Sequence, residues 1–304
     1  MKIHLDTDFG GDIDDACALA MLLRWPGVEL TGITTSAEEN GRRAGYVRRV
    51  LALEGREDIP VAAGVDSHLK HPYPDELAYW GERVAPSSNP AKEALSLLKR
   101  SIERGATVVG IGPLMNLHLL EKQSPGILGD DRLFLMGGYV YPPREGFPQW
   151  STADDYNIQL DAESSRYVLE HSSPTLVLIT VTCETFLRRS SLSTLGKAGA
   201  LGALLARQAE AFALDERMEE KYGATCSRLP DDVINFQHDP LACAIALGWN
   251  EGVEITRVPL RVEFRDGLLR QTIDPEGKLT PLVASIDGNR FSEFWLDIVA
   301  GTAA

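Results

Sequence analysis

Five aspartates lie within ten consecutive positions near the N-terminus, in the run Asp6-Thr7-Asp8-Phe9-Gly10-Gly11-Asp12-Ile13-Asp14-Asp15. Two carboxylates about 5 Å apart repel by on the order of 3 kcal/mol at an effective dielectric of about 20, so gathering several of them calls for a counter-ion. A divalent cation meets that need. Every donor in the run is a carboxylate oxygen, and no cysteine or histidine cluster with zinc spacing stands nearby. This favours calcium or magnesium over zinc. An EF-hand is a poor explanation, because its loop of about 12 residues ends on a glutamate, whereas the last position counted from Asp6 is Cys17. Acids are also favoured at the start of a helix. Capping is therefore an alternative role for Asp12, Asp14 and Asp15, sufficient for one or two of them but not for the whole run.

The elements that must position this run follow from hydrophobic periodicity. Apolar stretches of strand length alternate with helical-period segments: Ile3–Leu5, Cys17–Trp25, Val28–Thr35, Gly45–Leu53, Thr107–Ile111, Leu114–Leu120, Leu133–Met136, a helix after Asp161, and the strand-like Thr175–Val181. This βαβ rhythm predicts an α/β fold, an open, mainly parallel sheet with helices on both faces. Beyond residue 200 the expectation is a long helix over Leu201–Lys221, an irregular segment Gly223–Phe236, and a helix from Asp239 to about Gly248. Antiparallel strands then follow at Ile255–Phe264, Leu268–Ile273 and Leu282–Ile286, separated by the turn signals Asp266-Gly267 and Glu276-Gly277. A helix over Phe291–Ala300 closes the chain. No repeat or linker divides it, so one domain over residues 1–304 is expected. The loop Pro142–Thr152 reads as a wall of the site.

Composition narrows the class. With 304 residues, 44% of them hydrophobic, the chain can bury a sizeable core. A formal net charge of −14 argues against nucleic-acid phosphates and anionic membranes as partners, because both select a basic surface. No stretch approaches the roughly 18 apolar residues of a membrane span, and the N-terminal Met1-Lys2-Ile3-His4 carries no signal-peptide core. Cys17, Cys183, Cys226 and Cys243 are widely spaced, which reads as packing in a reducing compartment. A cytoplasmic location is the expectation.

Four further motifs follow the acidic run: Gly112-Pro113-Leu114-Met115-Asn116, Met136-Gly137-Gly138, Asp155-Tyr156-Asn157-Ile158 with Asp161-Ala162-Glu163, and His238-Asp239-Pro240-Leu241-Ala242. Together and in this order, over roughly residues 1–250, the five resemble the inosine-uridine-preferring nucleoside hydrolase family. Its N-terminal signature here takes the longer form Asp-x-Asp-x-Gly-x-Asp-x-Asp-Asp-Ala. The resemblance implies a Rossmann-like core, a calcium cofactor, a small-molecule ribonucleoside as substrate, and a homodimer or homotetramer.

It also implies roles. Asp8 matches the general base that activates a water held by the metal, Asp15 and Asp239 match calcium ligands, and Met115 stands where a threonine offers its main-chain carbonyl. Asp14 and Asn157 match ribose contacts, and His238 matches the proposed leaving-group acid, with helix capping as its alternative. Asp6 is left to metal support or second-shell order, and Asp12 is unassigned. The ribose clamp after the second strand falls on Glu39 or Asn40, with counting from Thr35 favouring Glu39. Asp155 replaces a glutamate that contacts the ribose 5′-hydroxyl, and Gln149 replaces an asparagine of the preceding loop. For the base, Trp80 or Tyr79 offers a stacking face or a packing anchor, and Trp150 lines the pocket or holds its loop.

Independently of the resemblance, ligands of an open α/β sheet sit beyond the carboxyl ends of its strands. Asp8, Glu39 and Asn40, Met115 and Asn157 all follow predicted strands. The chemistry expected is hydrolysis of a ribosyl C–N bond through an oxocarbenium-like state. Two competing readings are a nucleoside- or ribose-binding protein that has lost turnover, and a haloacid-dehalogenase-like phosphatase. The second also places Asp-x-Asp after its first strand but leaves His238-Asp239 without a role.

Overall fold

The computed structural model describes residues 1–67, 73–129 and 132–302. The first strand, β1 (Lys2–Thr7), is buried from Ile3 onward. It pairs in parallel with β2 (Glu29–Thr35) on one side, and β3 (Val61–Ala63) continues that side. The chain then crosses back to β4 (Thr107–Gly110) on the other flank of β1, followed by β5 (Leu133–Met136) and β6 (Thr175–Val177), all parallel. A two-stranded antiparallel ribbon, β7 (Phe186–Arg188) with β8 (Val233–Phe236), stands apart. The last strands, β9 (Glu254–Arg265), β10 (Leu268–Ile273) and β11 (Lys278–Ser285), rejoin the main sheet, since β11 pairs in parallel with β6 and antiparallel with β9. The full order is β10-β9-β11-β6-β5-β4-β1-β2-β3. This is the expected mainly parallel α/β sheet with helices on both faces. The antiparallel strands extend that sheet and do not form a separate one.

The reversal of strand order between β1 and β4 makes a topological switch point. There the loops leaving the two strands diverge and open a crevice. The acidic run begins where β1 ends, so sheet topology alone brings it to the crevice.

Several boundaries differ from those expected. The strand-like Thr175–Val181 stops at Val177, where its pairing with β5 ends, and Ile179–Thr182 coils into a helical turn. The helix expected to reach Lys221 ends at Asp215; Arg217 takes a positive φ, and a π-helical turn Glu219–Gly223 follows. The segment expected to be irregular, Gly223–Phe236, contains β8. Strand β3 and the helix Lys92–Glu103 were not among the expected elements. The Asp266-Gly267 turn is as anticipated, with both residues at positive φ, as a two-residue hairpin between β9 and β10 requires.

A central strand buried on both faces should be apolar, yet β1 carries His4 and Asp6, both fully buried. Hydrogen bonds compensate for all but Asp6 Oδ2, which has no partner among the described residues. Thr34 donates its hydroxyl proton to Asp6 Oδ1 (2.5 Å), so it accepts from His4 Nε2 (3.0 Å), and His4 Nδ1 then accepts from Ser101 (2.9 Å). Burial pushes the His4 imidazole down to about 3, keeping it neutral. Asn116 completes the ladder. Its Nδ2 donates to Asp6 Oδ1 (2.8 Å) and to the Thr35 carbonyl (3.0 Å), and its Oδ1 accepts from the Val65 amide (3.1 Å). One buried side chain thus ties the exits of β1 and β2 and the loop after β3.

Asn116→Ala strands these partners without water. A stability loss of about 3 kcal/mol is expected, read as a fall in the urea midpoint; a midpoint unchanged from wild type would show that Asn116 does not carry this junction.

Candidate active site

The crevice holds a cavity of about 600 Å³ whose lining includes Asp8, Asp12, Asp14, Asp15, Asn157 and His238, together with Asp155 and Asp239. Two helices bring the acids together. The helix Asp14–Arg24 begins at the last two acids of the run, and the helix His238–Ala246 has Asp239 in its first turn. Their N-termini converge, with the Asp239 amide donating to Asp14 Oδ2 (3.4 Å). Both positive dipole ends therefore face the cluster and offset part of its charge.

Asp8 is half-buried at the exit of β1. The loop that carries it turns tightly at Gly10, whose φ is +101° and whose missing Cβ would lie 2.4 Å from the Tyr46 ring. A second close approach comes from Gly112, where a Cβ would stand 2.8 Å from Asp8 Oδ1. This explains physically why the Gly-Pro motif follows β4. Arg43 fastens the loop from above: its Nε donates to the Ala37 carbonyl (2.9 Å), and its Nη1 donates to the Phe9 carbonyl (3.2 Å) and to that of Asp8.

Burial disfavours charge on Asp8, Asp14, Asp15 and Asp239. The Asp8 carboxyl is raised to about 6, chiefly by desolvation and further by Asp12, with Arg43 opposing. Asp14, Asp15 and Asp239 are raised well above the ordinary carboxylate range by burial and by one another. Thr7 gives Asp15 a hydroxyl hydrogen bond. Asp12, Asp14 and Asp15 each offer an oxygen within 4.8 Å of the others. An all-carboxylate set that repels itself when empty fits a hard divalent cation.

Across the cavity, Asn157 Nδ2 donates to the Ile111 carbonyl (3.1 Å) and the Met136 carbonyl (3.3 Å). Asp155 accepts from the Gly138 amide (2.6 Å), and burial raises its carboxyl to about 7. His238 Nδ1 lies 2.7 Å from Thr182 Oγ1. Its ring packs with Trp150 and Phe236, at centroid distances of 5.3 and 5.5 Å, and burial lowers its pKa to about 4 against an opposing influence from Asp12.

Five of the expected site residues stand outside the cavity lining, as does Asp6. Asp6 is taken up by Thr34 and Asn116 in the sheet. Glu39 and Asn40 are exposed; Glu39 pairs with Arg42 (3.7 Å), and the Asn40 amide donates to Asp66 (2.8 Å). The left-handed turn at Asn40-Gly41 carries both away from the crevice. Met115 opens the helix Met115–Gln123 and is buried. Trp80 stacks on Tyr46 (4.6 Å, 9°) behind Gly10, and it is Tyr79 that lines the cavity. Gln149 folds back onto the Arg144 and Phe147 carbonyls (3.1 and 2.9 Å), while Trp150 turns inward.

Arg43 was not anticipated. Its signal is helical spacing, because Arg43, Val47 and Val50 share the buried face of the helix Arg42–Leu53. Tyr73, Tyr156, Phe212 and Asp215 also line the cavity and carry no sequence signal that separates them from ordinary packing or surface residues.

A carboxyl whose folded pKa is raised keeps its stability contribution below its unfolded value, here 3.8 for Asp14, and loses it as pH rises. The metal-free protein should therefore weaken from mildly acidic to alkaline pH. Asp14→Asn removes one of the repelling charges and should raise the metal-free Tm at pH 8 by ~2 °C or more. A lower Tm would contradict the repulsion.

The family model described as inosine-uridine preferring nucleoside hydrolase matches residues 3–293. A pyrimidine-specific ribonucleoside hydrolase, RihA, from Salmonella paratyphi A is 27% identical over 266 residues, covering 81% of this chain and 78% of the relative. Among solved structures, the plant nucleoside hydrolase PpNRh1 superposes with a TM-score of 0.80 at 19% identity, covering 98% of both chains. The purine-preferring ribonucleoside hydrolase from Gardnerella vaginalis gives 0.75 at 20% identity, covering 99% of this chain and 98% of that one. The two structures share the fold described above. With its acidic run, its later motifs and nearly its whole length matched, the chain belongs to the inosine-uridine preferring nucleoside hydrolase family.

Proposed function

We propose that the protein hydrolyses the N-glycosidic bond of a ribonucleoside to ribose and free base, with Asp8 as general base and calcium as cofactor. The observation that carries this reading is the convergence of Asp8, Asp14, Asp15 and Asp239 with Asn157 and His238 on one cavity at the sheet's switch point. Asp8, Asp15 and Asp239 are the residues that would hold the ion, with Asp12 and Asp14 beside them. Met115 is left out, because it does not line the cavity. Bound there, calcium supplies a Lewis acid that orients water and ribose hydroxyls.

The remaining steps belong to the protein's own groups. Asp8, at the exit of β1 and facing the cavity, takes the proton from water as attack proceeds. As the water oxygen bonds to C1′, the C1′–N bond breaks and its electron pair stays on the base. Asp14 and Asn157 bind the ribose, and Asp155 stands near them. His238 delivers a proton to bases that leave as anions. Thr182 holds Nδ1, so that proton comes from Nε2.

The same proposal covers the surroundings. All four cysteines are buried and free, in keeping with a reducing, cytoplasmic setting, and no helix among the described residues is long and apolar enough to cross a membrane. A homodimer or homotetramer would cover apolar groups such as Phe264, Ile273 and Leu279, which are 41–59% exposed on the antiparallel strands.

Two variants test the roles. Asp8→Asn should lower kcat by about 10²–10⁴-fold while the protein keeps its fold by circular dichroism; wild-type turnover would remove Asp8 as the base. His238→Ala should slow inosine more than 4-nitrophenyl riboside, whose leaving group needs no proton. Equal losses on the two substrates would count against acid catalysis by His238.

A further inference from the structure

Carboxylates and aromatic faces stand together on the wall left for the base. Asp215, at the end of the helix Gly199–Asp215, lines the same cavity. Its Oδ2 accepts from the Tyr79 hydroxyl (3.0 Å), a neutral partner that leaves the carboxylate charge in place. Asp154 likewise accepts only from the Ser151 amide (2.7 Å) and hydroxyl (2.8 Å). Glu216 differs, being paired with Lys221 (2.8 Å).

Among the described residues that line the cavity, Arg43 is the one lysine or arginine, and its guanidinium is committed to the carbonyls of Asp8, Phe9 and Ala37. Aromatic faces complete the wall: Tyr79, Trp150, Tyr156 and Phe212 line the cavity. Aromatic rings beside carboxylates recognise a cation by its charge and by its flat face at once.

Resting on the hydrolase reading, we propose that the preferred substrate is a ribonucleoside whose base is a cationic heterocycle, its ring nitrogen made positive by the ribosyl bond or by alkylation. The chemistry balances without an acid. Water oxygen bonds to C1′, the C1′–N bond breaks, and its electron pair returns to the ring nitrogen and cancels the positive charge. The base leaves neutral, Asp8 takes the water's proton, and one proton per turnover passes to solvent. A base site walled by aromatic rings and the Asp215 carboxylate therefore suits this class.

The test compares N-ribosylpyridinium-3-carboxamide with uridine and inosine on the calcium-loaded enzyme. It also compares quenching of tryptophan fluorescence by 1-methylpyridinium-3-carboxamide and by its uncharged parent, pyridine-3-carboxamide. The expected result is a kcat/KM at least about tenfold higher for the cationic riboside, and tighter binding of the methylated cation than of its parent. Asp215→Asn should lower the cationic-to-neutral ratio of kcat/KM by about tenfold. Efficient cleavage of uridine or inosine with little cleavage of the pyridinium riboside would overturn this proposal and leave the hydrolase reading intact. An unchanged ratio in Asp215→Asn, or equal binding of cation and parent, would also overturn it. Release of ribose from none of the three would overturn both.

Discussion

Mutual repulsion among buried carboxylates is the constraint around which this molecule is arranged. Asp8, Asp14, Asp15 and Asp239 occupy one crevice, and burial makes charge on each of them expensive. Much of the surrounding structure reads as a response to that. Two helix N-termini point at the cluster, Arg43 lies against the Asp8 loop, and a ladder of His4, Thr34, Asp6 and Asn116 holds the strand beneath it in place. None of these neutralises the acids outright. They keep the carboxylates assembled at a cost in stability, which is the usual trade at a functional site, and leave room for a cation to complete the balance.

The same constraint links stability to chemistry. In the metal-free site burial makes these carboxylates reluctant to ionise, and under the proposed mechanism Asp8 is the one that receives a proton from water. Sheet topology supplies the location, because only at the switch point do loops from β1, β4 and β5 face one another across open space. The acids and their opposing wall thus belong to different strands, and the cavity lies between them.

Much of this was legible in the sequence. Alternating apolar and helical-period segments predicted the parallel sheet, and the acidic run, the Gly-Pro motif and the His-Asp pair lie at strand exits where the fold requires them. Errors fell mostly at single-residue resolution. The sequence offers Trp80 or Tyr79 as a stacking face or a packing anchor, and in the structure Tyr79 lines the cavity while Trp80 packs on Tyr46; Gln149, aligned with a ribose-binding asparagine, turns away while its neighbour Trp150 turns inward. Adjacent side chains leave a backbone in different directions, so a slip of one position exchanges cavity for packing. Glu39 and Asn40 fell to a left-handed turn that composition does not reveal. Arg43 was hidden for another reason: a charged residue on the apolar face of a helix reads as surface until the carbonyls that receive it are known.

The central claim is that the carboxylate cluster becomes a catalytic site for ribosyl transfer to water when a divalent cation occupies it. Reducing-sugar release from a panel of ribonucleosides, measured after exhaustive chelation and again after calcium is restored, tests this most directly. The account predicts no release without metal and recovered release with calcium. Undiminished release from the chelated protein, or none from any ribonucleoside once calcium is restored, would contradict it.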